Sequence, residues 1–372
     1  MKSNYKSIGE LVVKVDNKNT DGTVDTLLGV SIDKCFIKSV ANTIGTDLTK
    51  YKIIKKNEFA VSLMQVSRDS KIPIACLKEY DVAIMSPAYS IFKVIDENII
   101  LPDYLALWFQ RSEFDREAAF IAVGGVRGSM PWEEFCRIKV LLPSYDEQLE
   151  IVDNYKAITD RIALKKQIND NLLATTQAIY KSWFVDFEPF DGVCPQNWRN
   201  GCVDDIAEFY DSMRKPLSSL ERADMERIYP YYGAVSIVDY VDDFIFDGEY
   251  LLVSEDGIYV VDENGHPLLQ HITGKFWANN HAHILKGKSG FNEDSLYLFL
   301  ANTNMAPIVT GAAQPKINQA NLKSFPITIP TGEVIEKFNA LIQPFFDQRL
   351  SNEAEVKKLE NLKDLLLSRL VN

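Results

Sequence analysis

His281 and His283 stand one residue apart, and they are two of only four histidines in the chain. On a strand, that spacing places both imidazoles on one face, which is how a metal-ligating pair is presented. Carboxylates are plentiful nearby, so a metal-dependent hydrolase or nuclease acting through His281 and His283 is the chemistry these residues would allow. The competing reading is a polar pair that packs or faces a ligand. Few other residues offer chemistry. The chain has neither a Gly-x-Gly-x-x-Gly nor a phosphate-cradling Gly-x-x-x-x-Gly-Lys-Ser/Thr motif. It has no Pro-Pro dipeptide, and so no Asn/Asp-Pro-Pro-Tyr-type amino-methyltransferase motif. Glu355-Val356-Lys357 fits the letters of a nuclease cluster but falls on a predicted helix. Cys35, Cys76, Cys136, Cys194 and Cys202 are scattered and form no CxxC, which predicts reduced thiols in a cytosol. No cofactor and no bound metal are expected.

The elements that would position such residues occur twice. Gly124-Gly125-Val126-Arg127-Gly128-Ser129-Met130, followed by Phe135, Ile138, Val140 and Leu142-Pro143-Ser144, matches a second segment about 187 residues later. That segment is Gly311-Ala312-Ala313-Gln314-Pro315-Lys316-Ile317, followed by Leu322, Phe325, Ile327 and Ile329-Pro330-Thr331. Both read as a glycine loop, a short helix, a short strand and a proline stop, each leading into a long helix. Ser144 and Glu147 form a capping box at the start of the first helix. No Pro or Gly then intervenes until Pro189. Ile151, Tyr155, Ile158, Ile162, Leu172 and Ile179 recur at 3-4 spacing, with Lys165, Asn169 and Thr176 as polar breaks in the stripe. The second helix follows Thr331-Gly332-Glu333 and is expected to be interrupted at Pro344. It resumes with Val356, Leu359, Leu366 and Leu370 in near-heptad order. Two such stripes would satisfy each other as an antiparallel coiled coil.

The fold class is therefore α/β (α+β). Two pseudo-repeated globular domains are expected at 1–143 and 191–330, with a central helical spacer at 144–190 and a C-terminal one at 331–372. Each globular part reads as short strands with turns plus a helix or two, for example a strand entering a turn over Tyr51–Ala60 and a helix over Leu101–Phe109. At 372 residues the chain suits two domains plus connectors. The N-terminus leads into no secretory signal and no apolar run is long enough for a membrane span, so a cytoplasmic protein with no membrane partner is expected. The net charge of −12 argues, at face value, against a nucleic-acid partner. The charge is uneven, however. Residues 1–143 carry 19 basic and 18 acidic side chains, whereas 191–330 carry 10 and 19. From Ile228 to Gly274 there is no Lys or Arg at all.

Several segments carry a resemblance. Tyr229-Pro230-Tyr231-Tyr232-Gly233, Asp247 to Gly257 (DGEYLLVSEDG), Gly274 to Leu285 (GKFWANNHAHIL) and Gly311 to Asn318 (GAAQPKIN) resemble the specificity subunit of Type I restriction-modification systems. Gly124 to Trp132 (GGVRGSMPW) and the entry Leu142-Pro143-Ser144…Glu147-Gln148 are also similar to that family. The likeness covers essentially the whole chain and is stronger in the second half. The C-terminal helix departs from the pattern with Gly332-Glu333-Val334-Ile335.

The resemblance implies a non-catalytic subunit that recognises a DNA sequence. Its two target recognition domains would each read one half of a bipartite, asymmetric site in double-stranded DNA. The helices would act as a ruler for the gap and would dock two modification (methyltransferase) subunits, which carry the adenine methyltransferase chemistry. Restriction (endonuclease/translocase) subunits would join that core. A scaffold or inhibitor of the same fold that has lost DNA binding is a further possibility. The candidate DNA-contacting residues are Gly125, Arg127, Ser129 and Arg68 in the first domain. In the second they are Tyr232, Lys275, Asn280, His281, Gln314 and Lys316. Arg127 could pair with a guanine and Gln314 with an adenine, while Lys275 or Lys316 would meet phosphate. Ile151, Ile158, Ile162, Leu172, Ile179, Val356, Leu359, Leu366 and Leu370 are the expected helix-packing residues.

Overall fold

The computed structural model describes residues 4–39, 46–64, 66–123, 128–311 and 313–370. The chain divides into two compact units, one of residues 1–164 with 355–372 and one of residues 165–354. Each unit takes part of both long helices, Tyr145–Phe184 and Gly332–Arg369.

In the first unit, strand Tyr5–Ser7 pairs antiparallel with Lys139–Leu141, which ties the two ends of the globular part together. The amide of Ser7 donates to Glu10 at 2.9 Å, closing a capping box on the one-turn helix Ile8–Leu11. Two four-stranded sheets follow. One is ordered Val12–Val15, Ser90–Val94, Phe59–Val61, Ile74–Cys76, and the other Phe36–Lys38, Leu27–Val30, Val82–Met85, Lys52–Lys55. Helices Pro102–Gln110 and Ser112–Ala122 pack on the first sheet's core, with Pro102 in the first turn, where its missing N–H costs nothing. Phe59 stacks on Phe92 at 5.1 Å, and Phe109 meets Phe59 edge-on at 5.7 Å. Each such buried ring contributes on the order of 2 kcal/mol.

The start of the central helix is locked to this core. The Ser144 amide donates to Glu147 at 2.8 Å. Gln148, fully buried, accepts from the Leu101 amide at 2.9 Å and donates to the carbonyls of Ile99 and Pro143. Ile151 and Tyr155 pack on the same core as Leu367 and Leu370 of the C-terminal helix. An ion pair joins Arg161 to Glu355. In this unit the two helices run antiparallel.

The second unit repeats the plan. Strand Arg199–Cys202 pairs with Pro326–Ile329, and the one-turn helix Val203–Ile206 follows. A six-stranded sheet comes next, in the order Ala207–Phe209, Ala282–Gly287, Phe246–Ser254, Leu269–Ala278, Tyr229–Tyr232, Ile237–Val241. Helix Glu293–Ala301 corresponds to Pro102–Gln110, and Gln319–Lys323 to Trp132–Arg137. Ile335, Phe338, Ile342 and Phe346 of the C-terminal helix are buried in the core with Tyr180, Leu296 and Phe299. Tyr180 meets Phe299 edge-on at 5.1 Å, and Trp183 lies 5.7 Å from Phe338. Here too the helices are antiparallel: Asn169 reaches the Arg349 carbonyl at 3.2 Å and Lys165 reaches Asn352 at 2.9 Å.

The nine expected packing positions are all buried or half-buried, with Ile162, Val356 and Leu370 the most enclosed. Pro344 corrects the expected interruption, because helix Gly332–Arg369 runs through it. The missing hydrogen bond would have gone to the carbonyl of Ala340, and both residues are exposed, so water can take the freed acceptor. Ile342 and Phe346, buried on either side, hold the helix to the core across the gap. Among the described residues, no helix is long and apolar enough to cross a membrane.

Candidate nucleic-acid interface

In the second unit, three loops converge beyond one end of the large sheet. Strand Phe246–Ser254 ends at Glu255-Asp256-Gly257, where Gly257 takes a positive φ. Strand Ala282–Gly287 is entered through Asn279-Asn280-His281, and the Glu255 amide donates to the His281 carbonyl at 2.9 Å. The third loop is the tight turn between Thr310 and Lys316, whose backbones bond to each other in both directions at 2.8 Å. Gly311 has φ +86°, and a Cβ there would lie 2.3 Å from the Gln314 carbonyl, so only glycine permits this turn. The Ile317 amide donates to the Glu255 carbonyl at 2.8 Å, fixing the third loop to the first.

A charged network lies beneath these loops. His283 is fully buried, with Nδ1 2.6 Å from Asp211 and Nε2 2.8 Å from the Ile317 carbonyl. Arg214 bridges Glu255 and the Ala282 carbonyl, both at 2.6 Å. Lys316 Nζ lies 2.9 Å from Glu255, and Gln319 donates to Asp211 at 2.7 Å. Burial alone would raise the carboxyls of Asp211 and Glu255. The hydrogen bonds and charges of His283 on Asp211, and of Arg214 and Lys316 on Glu255, outweigh it and hold both below the ordinary carboxylate range. The bond to Glu255 also pushes the Lys316 ammonium above its usual range.

This arrangement corrects the strand reading of the histidine pair. His281 precedes the strand, is exposed, and is held by Asp256 at 2.5 Å. His283 sits inside the strand, and both its ring nitrogens are already engaged. The two imidazoles therefore do not face one centre, which removes the geometric basis of a hydrolase built on them. Glu355-Val356-Lys357 lies on the C-terminal helix, with Val356 buried in the seam.

The structure brings His281, Asn280, Gln314 and Lys316 to this one end. Asn280, His281 and Gln314 are exposed, whereas Lys316 is partly committed to Glu255. Tyr232 borders the second of these loops, its carbonyl accepting from the Asn279 amide at 3.0 Å, whereas Lys275 lies farther along the sheet, paired with Asp247. Tyr232 is half-buried, edge-on to Phe276 at 5.6 Å. Lys275 is exposed, 4.4 Å over the Phe244 ring. In the first unit, Gly125 and Arg127 lie outside the described residues. Gly128 adopts φ +73°, and a Cβ there would come 2.4 Å from Ser67 Oγ and 3.5 Å from the Arg68 amide, so Arg68 and Ser129 belong to one surface. The Arg68 guanidinium pairs with Asp69 at 2.9 Å.

Asp211, Arg214 and Gln319 carry no local signal in the sequence: apart from the contact of Arg214 with Asp211, their partners are 41 to 108 residues away. Also absent from the expected contacts are Ile258 and Tyr259, which are 82% and 71% exposed beside the Gly257 turn. Two bare apolar side chains directly after an Asp-Gly turn were the available signal for that tip.

The sequence profile described as the Type I restriction modification DNA specificity domain matches residues 195–361. A putative type I restriction enzyme specificity subunit of Haemophilus influenzae is 38% identical over 128 residues, covering 34% of this chain and 32% of that protein. The chain thus spans about a third of that relative. The MjaIX specificity subunit of Methanocaldococcus jannaschii is 23% identical over 304 residues, covering 75% of this chain and 70% of that one. The HindI specificity subunit of H. influenzae is 21% identical, covering 76% and 79%. The crystal structure of a Type I restriction-modification S subunit from M. genitalium shares the fold with a TM-score of 0.58 at 12% identity, over 98% of this chain and 95% of that one. Profile, relatives and fold agree: residues 195–361 match the Type I restriction modification DNA specificity domain, and the chain is similar to Type I restriction enzyme specificity subunits over about three quarters of its length.

Proposed function

We propose that this chain is the sequence-reading subunit of a Type I restriction-modification complex. It reads a bipartite, asymmetric site in double-stranded DNA through two target recognition domains, 1–143 and 191–330. The helical segments 144–190 and 331–372 set the gap and dock two modification subunits that carry the methyltransferase chemistry. Restriction subunits join the same core. The observation that carries this reading is the repeated order of elements in the two units, each ending in a glycine turn beside polar side chains and each tied to the same pair of long helices. Glycine turns let the backbone approach the duplex, and the neighbouring amides and imidazoles can read base edges. In the second unit the contacts would come from Asn280, His281, Gln314 and the Ile258–Tyr259 tip. In the first they would come from Arg68 and Ser129, together with Gly125 and Arg127. Tyr232 and Lys275 would flank the second surface, with Lys275 and Lys316 toward phosphate.

Methylation-site sequencing in cells carrying this chain with its modification partner tests the proposal. The expected result is one motif made of two short, unlike half-sites separated by a fixed unspecified gap. A single contiguous motif, or a motif unchanged when this chain is deleted, would overturn it.

A further inference from the structure

Within the second unit, the packing of the two long helices is broken by a polar layer. Asn352 is 1% exposed, at a position flanked one heptad away on either side by Phe345 and Leu359. Heptad logic calls for an apolar side chain there. Its Nδ2 instead donates to Asn169 Oδ1 at 2.8 Å, and its Oδ1 accepts from Lys165 Nζ and Gln348 Nε2, both at 2.9 Å. Asn169 also donates to the Arg349 carbonyl at 3.2 Å. The layer is thus specific in geometry and bonded at both ends of the Asn352 amide.

Its position along the helices carries the argument further. The sequence repeat has an offset of about 187 residues, which equates position 165 with position 352. In an antiparallel pair built from a repeat, a position meets its own counterpart at one level only. The contact between Lys165 and Asn352 is that level. Apolar layers tolerate slippage because one leucine resembles the next. A slip of one heptad, about 10 Å at 1.5 Å per residue, would place Phe345 or Leu359 against Lys165 and Asn169 and remove their bonds to Asn352. Asn352, 1% exposed, would lose its partners in the wrong alignment, and fixing register is the best-attested use of such buried polar groups.

We propose that Asn352, Asn169 and Lys165 form a register lock that selects the gap length between the two half-sites. The inference rests on the reading of the chain as a two-part DNA reader, but the lock itself can be measured without DNA. Spin labels at positions 174 and 347 of the full chain, with its native cysteines replaced, report the alignment of the helices directly. The parent should give one distance population. The triple variant Lys165→Leu, Asn169→Leu, Asn352→Leu should keep or raise the melting midpoint and should add a second distance population, from helices shifted by about 10 Å along their axes. Asn352→Leu alone, which takes the acceptor from Lys165, should melt several degrees lower. In the assembled complex, methylation-site sequencing of the triple variant should show additional gap lengths with both half-sites unchanged. A triple variant with one distance population overturns the lock, as does a single variant that melts like the parent. A shifted distance with an unchanged gap overturns the link to gap selection. If the parent complex yields no bipartite motif, the DNA reading fails, while the distance measurement still decides the register.

Discussion

At the scale of single residues, exposure and commitment separate side chains available for the proposed DNA contacts from those that build the surface. Gln314 is exposed on a turn whose shape is set by Gly311, not by Gln314. We expect Gln314→Ala to leave folding stability within about 0.5 kcal/mol while removing about 1–3 kcal/mol of discrimination at one base of one half-site. Methylation-site sequencing would then show that position relaxed and the other half-site intact, and an unchanged consensus would remove Gln314 from the reading set. Asp294 belongs to the structural class. It is 2% exposed at the start of helix Glu293–Ala301, and its Oδ1 has no hydrogen-bond partner. Burial, opposed only by His271 and reinforced by Glu249, Asp347 and Glu293, raises its carboxyl to about 7. The ordinary value lies near 3.8, so the folded chain holds an extra proton between about pH 4 and pH 7 and loses stability as pH rises through that window. Asp294→Asn should therefore melt higher than the parent at pH 8, by up to about 4 kcal/mol, and the difference should vanish near pH 4. Melting curves across that range check this, and an Asn variant that is less stable at pH 8 would refute it.

At the scale of elements, the two long helices solve the same entry problem differently. The central helix begins on a buried Gln148 that holds three backbone groups of the first domain. The repeat offset places Ile335 at the matching position, where it is 1% exposed in the apolar core. The departure of Gly332-Glu333-Val334-Ile335 from the family's entry pattern is thus an exchange of a polar tether for an apolar one. Pro344 is the other irregularity. Its helix is continuous, so the proline costs a hydrogen bond without producing a break. Pro344→Ala should stabilise the chain by about 1–3 kcal/mol, read as a higher denaturation midpoint. An unchanged midpoint would mean that the parent helix is already relieved at that turn.

At the scale of the whole molecule, charge distribution matters more than its sum. Of the net −12, the segment 191–330 carries 10 basic and 19 acidic residues, and several of its cations are spent internally on Glu255, Asp239 and Asp204. Phosphate attraction is the salt-sensitive, sequence-independent part of DNA affinity. The isolated chain should therefore bind duplex DNA weakly and with a shallow salt dependence, gaining affinity with the proposed modification subunits. Fluorescence anisotropy over a salt series measures both properties. Tight binding by the chain alone that falls steeply with salt would contradict the expectation.

The repeat, the helix stripes, the capping box at Ser144 and Glu147, and the resemblance to specificity subunits are all legible in the sequence. These are local periodicities or short motifs, whose signal lies within a few residues of its physical cause. The roles of the histidines depend on partners that the fold brings to them. His281 and His283 are neighbours in sequence, yet Asp256 holds one at the surface and Asp211 buries the other. The fold likewise determines that Pro344 does not break its helix, because the anchors on either side are long-range core contacts. It revealed as well that Lys165 and Asn169, visible as breaks in one stripe, are answered by Asn352 in the other. In each case the deciding partner lies tens to hundreds of residues away, and no local pattern announces it.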